Sequence, residues 1–229
     1  VPAIFLRYRR DDLSELMDSA DCDPELLENT YRQFGAINRL FSGWRGVYKN
    51  RIRPLLRAGR IRVLDIGCGG GDLAVQLSLW ARSDQLDIHI TAADPNPGAF
   101  RYLSSRELPG NVVPRKAYSR DLLADGEKYD IVLSNHVLHH LSVKELRSFL
   151  IETSELASFL VLHNDIRRDD LAFAGFLPVG LFFRRSFIFR DGLTSIRRSW
   201  RPDELIPLLP DGWYIESNVM YRNHVIWEA

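Results

Sequence analysis

From Leu27 the apolar residues recur at Tyr31, Phe34, Ile37 and Phe41, every three or four positions. That is the spacing of one helix face. Asp23-Pro24 supplies an N-cap and a first-turn proline, and Ser42-Gly43 ends the run. A second helix is predicted through Trp44, Val47, Tyr48 and Ile52 to Pro54-Leu56. From Arg60 the period changes. Ile61 to Ile66 reads as a strand, and "LAVQLSLWARS" as a helix. "LDIHITAAD", "NVVPRKAY", "YDIVLSN" and "SFLVLHND" read as further strands, with helices in "PNPGAFRYLSSREL" and "SVKELRSFLIETSEL". Ser142 with Glu145 three residues on forms a capping box for the last helix. Strand and helix alternate as a parallel sheet with crossover helices requires. "GWYIESNVM" and "YRNHVIWEA" break the alternation and predict an antiparallel edge pair. Residues 1–58 are expected to form an N-terminal helical lid. Residues 59–229 are expected to form the main domain, with an insertion at about 166–200.

Between the first strand and its helix stands "VLDIGCGGGD", Val63 to Asp72. A parallel sheet binds ligands at the carboxyl ends of its strands, so these glycines sit at that mouth. They let the backbone approach a ligand closely. A second acid, Asp94, closes the next strand, 29 residues after Asp65, and is placed to take two ribose hydroxyls. The dinucleotide fingerprint G-x-G-x-x-G fails: counted from Gly67 its third glycine is Asp72, and counted from Gly69 it falls out of register.

Composition narrows the rest. Thirty basic residues balance thirty acidic ones, which argues against a general electrostatic grip on nucleic acid. Two distant cysteines, Cys22 and Cys68, suggest a reducing compartment. No apolar run is long enough to span a membrane. "VPAIFLRYRRDD" places its charges after its apolar residues, the reverse of a secretory leader. A cytoplasmic location is expected.

The acid-first spacing Asp65-x-Gly67-x-Gly69-x-Gly71, the strand-ending Asp94 in "TAADPNPGAF" and the segment "KYDIVLSNHVLHHL" together resemble the class I S-adenosylmethionine-dependent methyltransferases, over roughly Arg60 to Asp165. The resemblance implies an α/β, Rossmann-like fold: a seven-stranded, mostly parallel sheet with helices on both faces. It implies S-adenosylmethionine as cofactor. Asp94, followed by Pro95, would bind the ribose, and Gly67, Cys68, Gly69 and Gly71 would lie against the methionyl part and ribose. Asp65 would orient the methionine amino group. Asn135 and His136 would face the cofactor after the fourth strand, and Asp121 and Leu122 would lie near the adenine. Read alone, Cys68 is a small residue filling the turn, because no base is evident near it. Asp121 reads equally as a helix N-cap.

The loop Asn135-His136-Val137-Leu138 lacks the prolines and aromatic of adenine-N6 methylases, so a nucleic-acid acceptor is not expected. In similar small-molecule O-methyltransferases a histidine in this segment removes the acceptor's proton. His139 matches that position, with His140 as the alternative and a purely structural pair as the third reading. The acceptor is expected to be a hydrophobic or aromatic small molecule of polyketide or quinone type. Its pocket is expected to draw on Tyr31, Phe34, Trp44 and Tyr48, on the phenylalanine-rich insertion and on His163. "GLFFRRSFIFR" reads either as a solvated arginine face or as a peripheral membrane contact. The acid-free basic run from Arg45 to Arg62 reads either as a solvated face or as a carrier-protein contact. No metal-ligand set is evident. Two other readings stay open: C-methylation of a ring, and a non-catalytic protein that binds S-adenosylmethionine.

Overall fold

A computed structural model describes residues 5–19, 21–57, 59–217 and 221–229. Helix α1 (Pro24–Phe41) begins where the Asp23 carboxylate accepts the backbone N–H groups of Glu25 and Leu26, at 2.8 and 3.2 Å. These are donors that a helix start leaves open. The segment predicted as a second helix is α2 (Trp44–Val47), one π turn (Tyr48–Ile52) and α3 (Arg53–Leu56).

Seven strands form one sheet: β1 (Ile61–Ile66), β2 (Ile88–Ala93), β3 (Val112–Arg115), β4 (Tyr129–Asn135), β5 (Ala157–Ile166), β6 (Trp213–Glu216) and β7 (Arg222–Glu228). Their order is β3-β2-β1-β4-β5-β7-β6. The first five are parallel, and β7 lies antiparallel to both β5 and β6. This is the expected Rossmann-like sheet with its antiparallel C-terminal pair. Residues 218–220 of the predicted strand "GWYIESNVM" lie outside the described residues. Helices α4 (Asp72–Ser83), α5 (Pro97–Ser105), α6 (Ser119–Ala124) and α7 (Val143–Leu156) cross between the parallel strands. After β5 come α8 (Asp170–Phe176), α9 (Ile188–Arg198) and α10 (Pro202–Leu205).

The alternation of strand side chains splits the core into two layers. Val63 of β1 packs with Leu77, Ile90, Ile131 and Leu103, beneath α2 to α5. Its neighbour Leu64 packs on the other side with Leu122, Val132, Leu150 and Trp213, beneath α6 and α7. A third, smaller cluster joins Ile37 of α1 to Val179 and Ile188 of the insertion, with Phe34, Phe176 and Phe183 against it. This cluster stands above the carboxyl ends of the strands rather than on a sheet face.

A strap, residues 5–19, crosses the same end. Asp170 accepts the Leu6 N–H at 2.8 Å, and Asp191 accepts those of Leu16 and Met17 at 2.8 and 3.0 Å. The Arg9 guanidinium lies 3.8 Å from the centroid of the Trp200 ring and donates to the Leu141 carbonyl at 2.9 Å. The strap is thus pinned by side chains from the insertion, far away in sequence.

The glycine turn meets two steric demands. Gly67 and Gly71 have φ of 71° and 73°, the left-handed region that disfavours a side chain. A Cβ at Gly71 would also stand 2.4 Å from Leu103 Cδ1. Gly71 is therefore what lets α4 start against α5. Gly71→Ala is expected to cost roughly 2–4 kcal/mol, combining left-handed strain with overpacking. Denaturant unfolding measures it, and adding Leu103→Ala should return the steric part. Strictly additive losses would show that the contact with Leu103 is not the cause.

Candidate active site

The strand ends, α1, the strap and the insertion enclose a cavity of about 730 Å³, within the usual range for ligand sites of about 300–1,000 Å³. On one side it is walled by Asp65, Gly67, Cys68, Gly69, Asp94, Pro95 and Asn96, and by Asn135 and His136. On the other side stand Phe34, Ile37, Phe41, Phe176, Val179 and Ile188. Tyr31 of α1 lines it too, stacked on Tyr102 with ring centroids 5.1 Å apart.

The glycine side is shaped by backbone hydrogen bonds. The N–H groups of Gly67 and Cys68 both donate to the Ala93 carbonyl, at 2.8 and 3.1 Å. The Asp94 carboxylate accepts from Gly69 N–H and Asn96 N–H, at 2.8 Å each, so the acid at the end of β2 fixes the loop after β1. Burial raises its pKa, against the pull of these two donors. A Cβ at Gly67 would stand 2.5 Å from Val137 Cγ2.

Asp65 is fully enclosed, and neither carboxylate oxygen has a hydrogen-bond partner among the described residues. The Ala74 N–H, at the start of α4, pulls the Asp65 pKa down without reaching full hydrogen-bond geometry. Burial and the neighbouring Asp72 push its pKa well up. An orphaned carboxylate on a cavity wall suits a ligand that brings a cationic amino group. With the bare glycine loop and Asp94, it fits the amino-acid and ribose parts of S-adenosylmethionine. Burial, then Asp65, Asp94 and Asp72, raise the Cys68 thiol, which leaves it a packing residue rather than a nucleophile.

The two neighbouring histidines differ sharply. His139 is 1% exposed. Its Nδ1 lies 2.7 Å from Asp165 Oδ1 and its Nε2 lies 3.2 Å from Glu15 Oε1. Glu15 also accepts from Ser195 Oγ of α9. Burial alone would lower the His139 pKa, but the charge and hydrogen bond of Asp165, then those of Glu15, hold it up at about 9. His139 is therefore an imidazolium at neutral pH, with both nitrogens occupied. His140 is partly open to the cavity. Its Nδ1 lies 3.3 Å from Asp18 Oδ2, and its Nε2 is 3.9 Å from Glu15 Oε1, beyond hydrogen-bond reach.

Several residues expected at the site lie elsewhere. Tyr48 is fully buried in the sheet's core, its hydroxyl donating to Asp84 at 2.9 Å and its ring against Trp80. Trp44 is in the same core layer and reaches the site only by donating Nε1–H to Asn135 Oδ1 at 3.0 Å. His163 points to the opposite sheet face, between Ser134 Oγ and Thr153 Oγ1 and stacked on Trp213. Burial holds it neutral, with its pKa lowered to about 3. Asp121 accepts the Tyr118 N–H at 2.9 Å as a helix cap, and Leu122 is core beneath α6 and α7. Gly71 packs on Leu103 behind the loop.

Other residues at the site carried no signal in the sequence. Glu15 and Asp18 come from the strap, Asp191 and Ser195 from α9, and Arg222 from the start of β7. Glu15 is 124 residues from His139. Glu15, His139 and His140 bring their donor atoms within 4.8 Å of one another, a grouping that local spacing does not reveal.

Residues 63–158 match the family model described as a methyltransferase domain. A ubiquinone biosynthesis O-methyltransferase of Azorhizobium caulinodans is 31% identical over 109 residues, covering 47% of this chain and 39% of the relative. The enzyme of the same name from Dinoroseobacter shibae is 29% identical over 148 residues, covering 59% and 57%. The chain thus spans well under two thirds of these relatives' lengths. The plantazolicin methyltransferase BpumL, solved in complex with SAH, superposes with a TM-score of 0.57 at 12% identity, covering 92% of this chain and 91% of that one. At that identity the likeness speaks for the fold. The shared sheet and the matched residues converge: residues 63–158 belong to a class I methyltransferase domain, of the kind that uses S-adenosylmethionine as methyl donor.

Proposed function

We propose that the protein methylates a hydroxyl of an aromatic, polyketide or quinone-like small molecule. One observation carries this reading. The cavity is continuous from Asp65, Gly67 and Asp94 to a histidine–carboxylate pair under a phenylalanine roof. The names of the partial relatives point to the same chemistry. S-Adenosylmethionine supplies an electrophilic methyl group on a sulfonium. Asp94 would hold the ribose hydroxyls, Asp65 the amino group, and Gly67 and Gly69 would let the backbone approach. Asn135 and His136 would flank the donor from the end of β4. Tyr31, Phe34, Phe176 and Ile188 would seat a flat apolar acceptor, with residues 5–19 and α1, α8 and α9 acting as its lid. In-line transfer draws much of its acceleration from such positioning.

The proton requires a base. His139 is already protonated and bound on both sides, so its role is to position the loop. His140 is the better base, with Asp18 orienting Nδ1–H and Nε2 left to accept from the hydroxyl. This reverses the preference that the sequence suggests.

Titration with S-adenosylhomocysteine beside NAD, then a phenol and quinol panel with methyl-labelled donor, tests the reading. Labelled ether products support it, ring-labelled products indicate C-methylation, and binding without turnover would favour a regulatory protein. Asp94→Ala should weaken S-adenosylhomocysteine roughly 10- to 150-fold, the equivalent of about 1.5–3 kcal/mol for charged hydrogen bonds. Unchanged affinity by calorimetry would remove Asp94 from the donor site.

His140→Ala should lower turnover by about 10² or more while donor affinity holds. His139→Ala should instead destabilise the fold by roughly 3–5 kcal/mol, because it strands two buried carboxylates. Equal loss of turnover at equal stability would return the base to His139.

The imidazolium also sets a pH dependence. Its folded pKa of about 9 stands above the ordinary 6.5, so its stabilisation is complete below about pH 6.5 and is lost as pH rises through about 9. The melting temperature should fall across that window. In Glu15→Gln the fall should be smaller and should end at lower pH, because its onset is set by the unfolded value. A profile flat to pH 9 would mean that His139 is not held protonated.

A further inference from the structure

We infer that Arg222 anchors a carboxylate of the methyl acceptor, which makes the acceptor a hydroxylated aromatic acid. The inference rests on the O-methylation reading above and narrows its substrate class.

Arg222 is the first residue of β7, paired with Ile166 at the end of β5. Because β7 runs antiparallel, its beginning arrives at the rim where the parallel strands end. The side chain is 6% exposed and lines the cavity. Its Nε donates to the Phe41 carbonyl at 3.1 Å, and its Nη1 meets Nε2 of His136. These contacts fix the fork, yet neither partner carries a negative charge. No carboxylate lies within ion-pair distance among the described residues: the Asp165 charge acts on the guanidinium only from farther off and is itself engaged by His139 at 2.7 Å, and Nη2 donates to no described group. Arg168, also buried, contrasts with it by pairing with Glu204. A buried cation is costly unless a counter-charge meets it. A guanidinium held rigid with a free N–H edge matches a planar carboxylate.

Position favours the acceptor over the donor as its source. The donor residues Asp65, Gly67, Asp94 and Asn135 stand at the ends of β1, β2 and β4. Arg222 lies beyond β5, two strands past β4, about 10 Å at the usual strand spacing. From it a row of rings leads to the proposed base. His136 and His139 have centroids 6.3 Å apart, and His139 and His140 4.2 Å. His136 holds its place in this row with φ of 63°, a conformation uncommon outside glycine. Burial, then the Arg222 charge, keeps it neutral and able to accept from the guanidinium.

The test is calorimetric, with wild-type protein saturated in S-adenosylhomocysteine. 3- and 4-hydroxybenzoate and 4-hydroxycinnamate are each compared with their neutral methyl esters. The acids should bind at least about tenfold tighter, as a charged hydrogen-bonded pair predicts. Arg222→Met should erase that preference and Arg222→Lys should keep part of it, both with donor affinity near wild type. The wild-type acid-to-ester ratio needs no variant, so a misfolded Arg222→Met cannot rescue the inference. Equal binding of acids and esters overturns it, as does failure of every acid to bind a complex that holds S-adenosylhomocysteine. If Arg222→Met weakens S-adenosylhomocysteine tenfold but spares 5′-methylthioadenosine, the carboxylate belongs to the donor, and the inference fails while the methyltransferase reading stands. If wild type binds no S-adenosylhomocysteine at all, that reading falls and takes the inference with it.

Discussion

Three buried ionisable side chains meet beside the cavity: Asp165, His139 and Glu15. Each comes from a different part of the chain, namely the end of β5, the loop after β4 and the strap. Removing such groups from water costs several kcal/mol per ion, and only good geometry with full hydrogen bonding offsets it. Here the geometry is met. Asp165 also takes the His139 backbone N–H at 2.7 Å, and Ser195 donates to Glu15. The consequence reaches beyond stability. A strap that withdrew would leave a cation facing one carboxylate and Glu15 in water, so its seating is coupled to the loop that carries His140. The roof of the cavity and the proposed proton acceptor are held by the same charges.

The sheet explains why so many chemical groups gather at one rim. Parallel strands all end on the same side, and their loops are the segments free to carry polar residues. The glycine turn adds proximity, because Gly67 and Gly71 remove the side chains that would strike Val137 and Leu103. The antiparallel β7 contributes from the opposite chain direction: its first residue, rather than its last, arrives at the mouth. One topological reversal thus puts a guanidinium where the parallel strands supply mostly acids and amides.

Much of this was legible in the sequence, and what was missed shares a cause. Period-2 and period-3.6 patterns located every strand, and Asp65, Gly67, Gly69 and Asp94 stood in a local spacing that physics could interpret. Those signals are short-range. Tyr48 was misread because an aromatic at helical spacing looks the same whether it faces a core or a cavity. Its partner Asp84 lies 36 residues away. His163 was misread because strand alternation sends neighbouring residues to opposite faces. Asn164 follows it on the other face, its Nδ2–H donating to the Ser42 carbonyl at 2.6 Å. The preference proposed for His140 over His139 rests on Glu15 and Asp18, acids whose positions in a strap announce nothing about the partners they reach.

The charge pattern of the cavity bears on the reaction itself. Transfer of a methyl group from a sulfonium to a phenolate-like oxygen annihilates charge. A low-dielectric site favours such a step, since separated charges lose solvation that the neutral products do not need. The walls divide accordingly. Asp65, Asp72 and Asp94 stand on the glycine side, where a cationic donor would lie. Phe34, Phe41, Phe176 and Ile188 make the facing side apolar. A base buried as deeply as His139 would itself be costly to charge and discharge there, so its proton is locked in place. His140, the base proposed above, stands nearer the opening and beside the half-exposed Asp18. Under the proposed reaction the charge-neutralising step would fall on the apolar side and the proton would leave at the open edge, a division that one histidine could not provide.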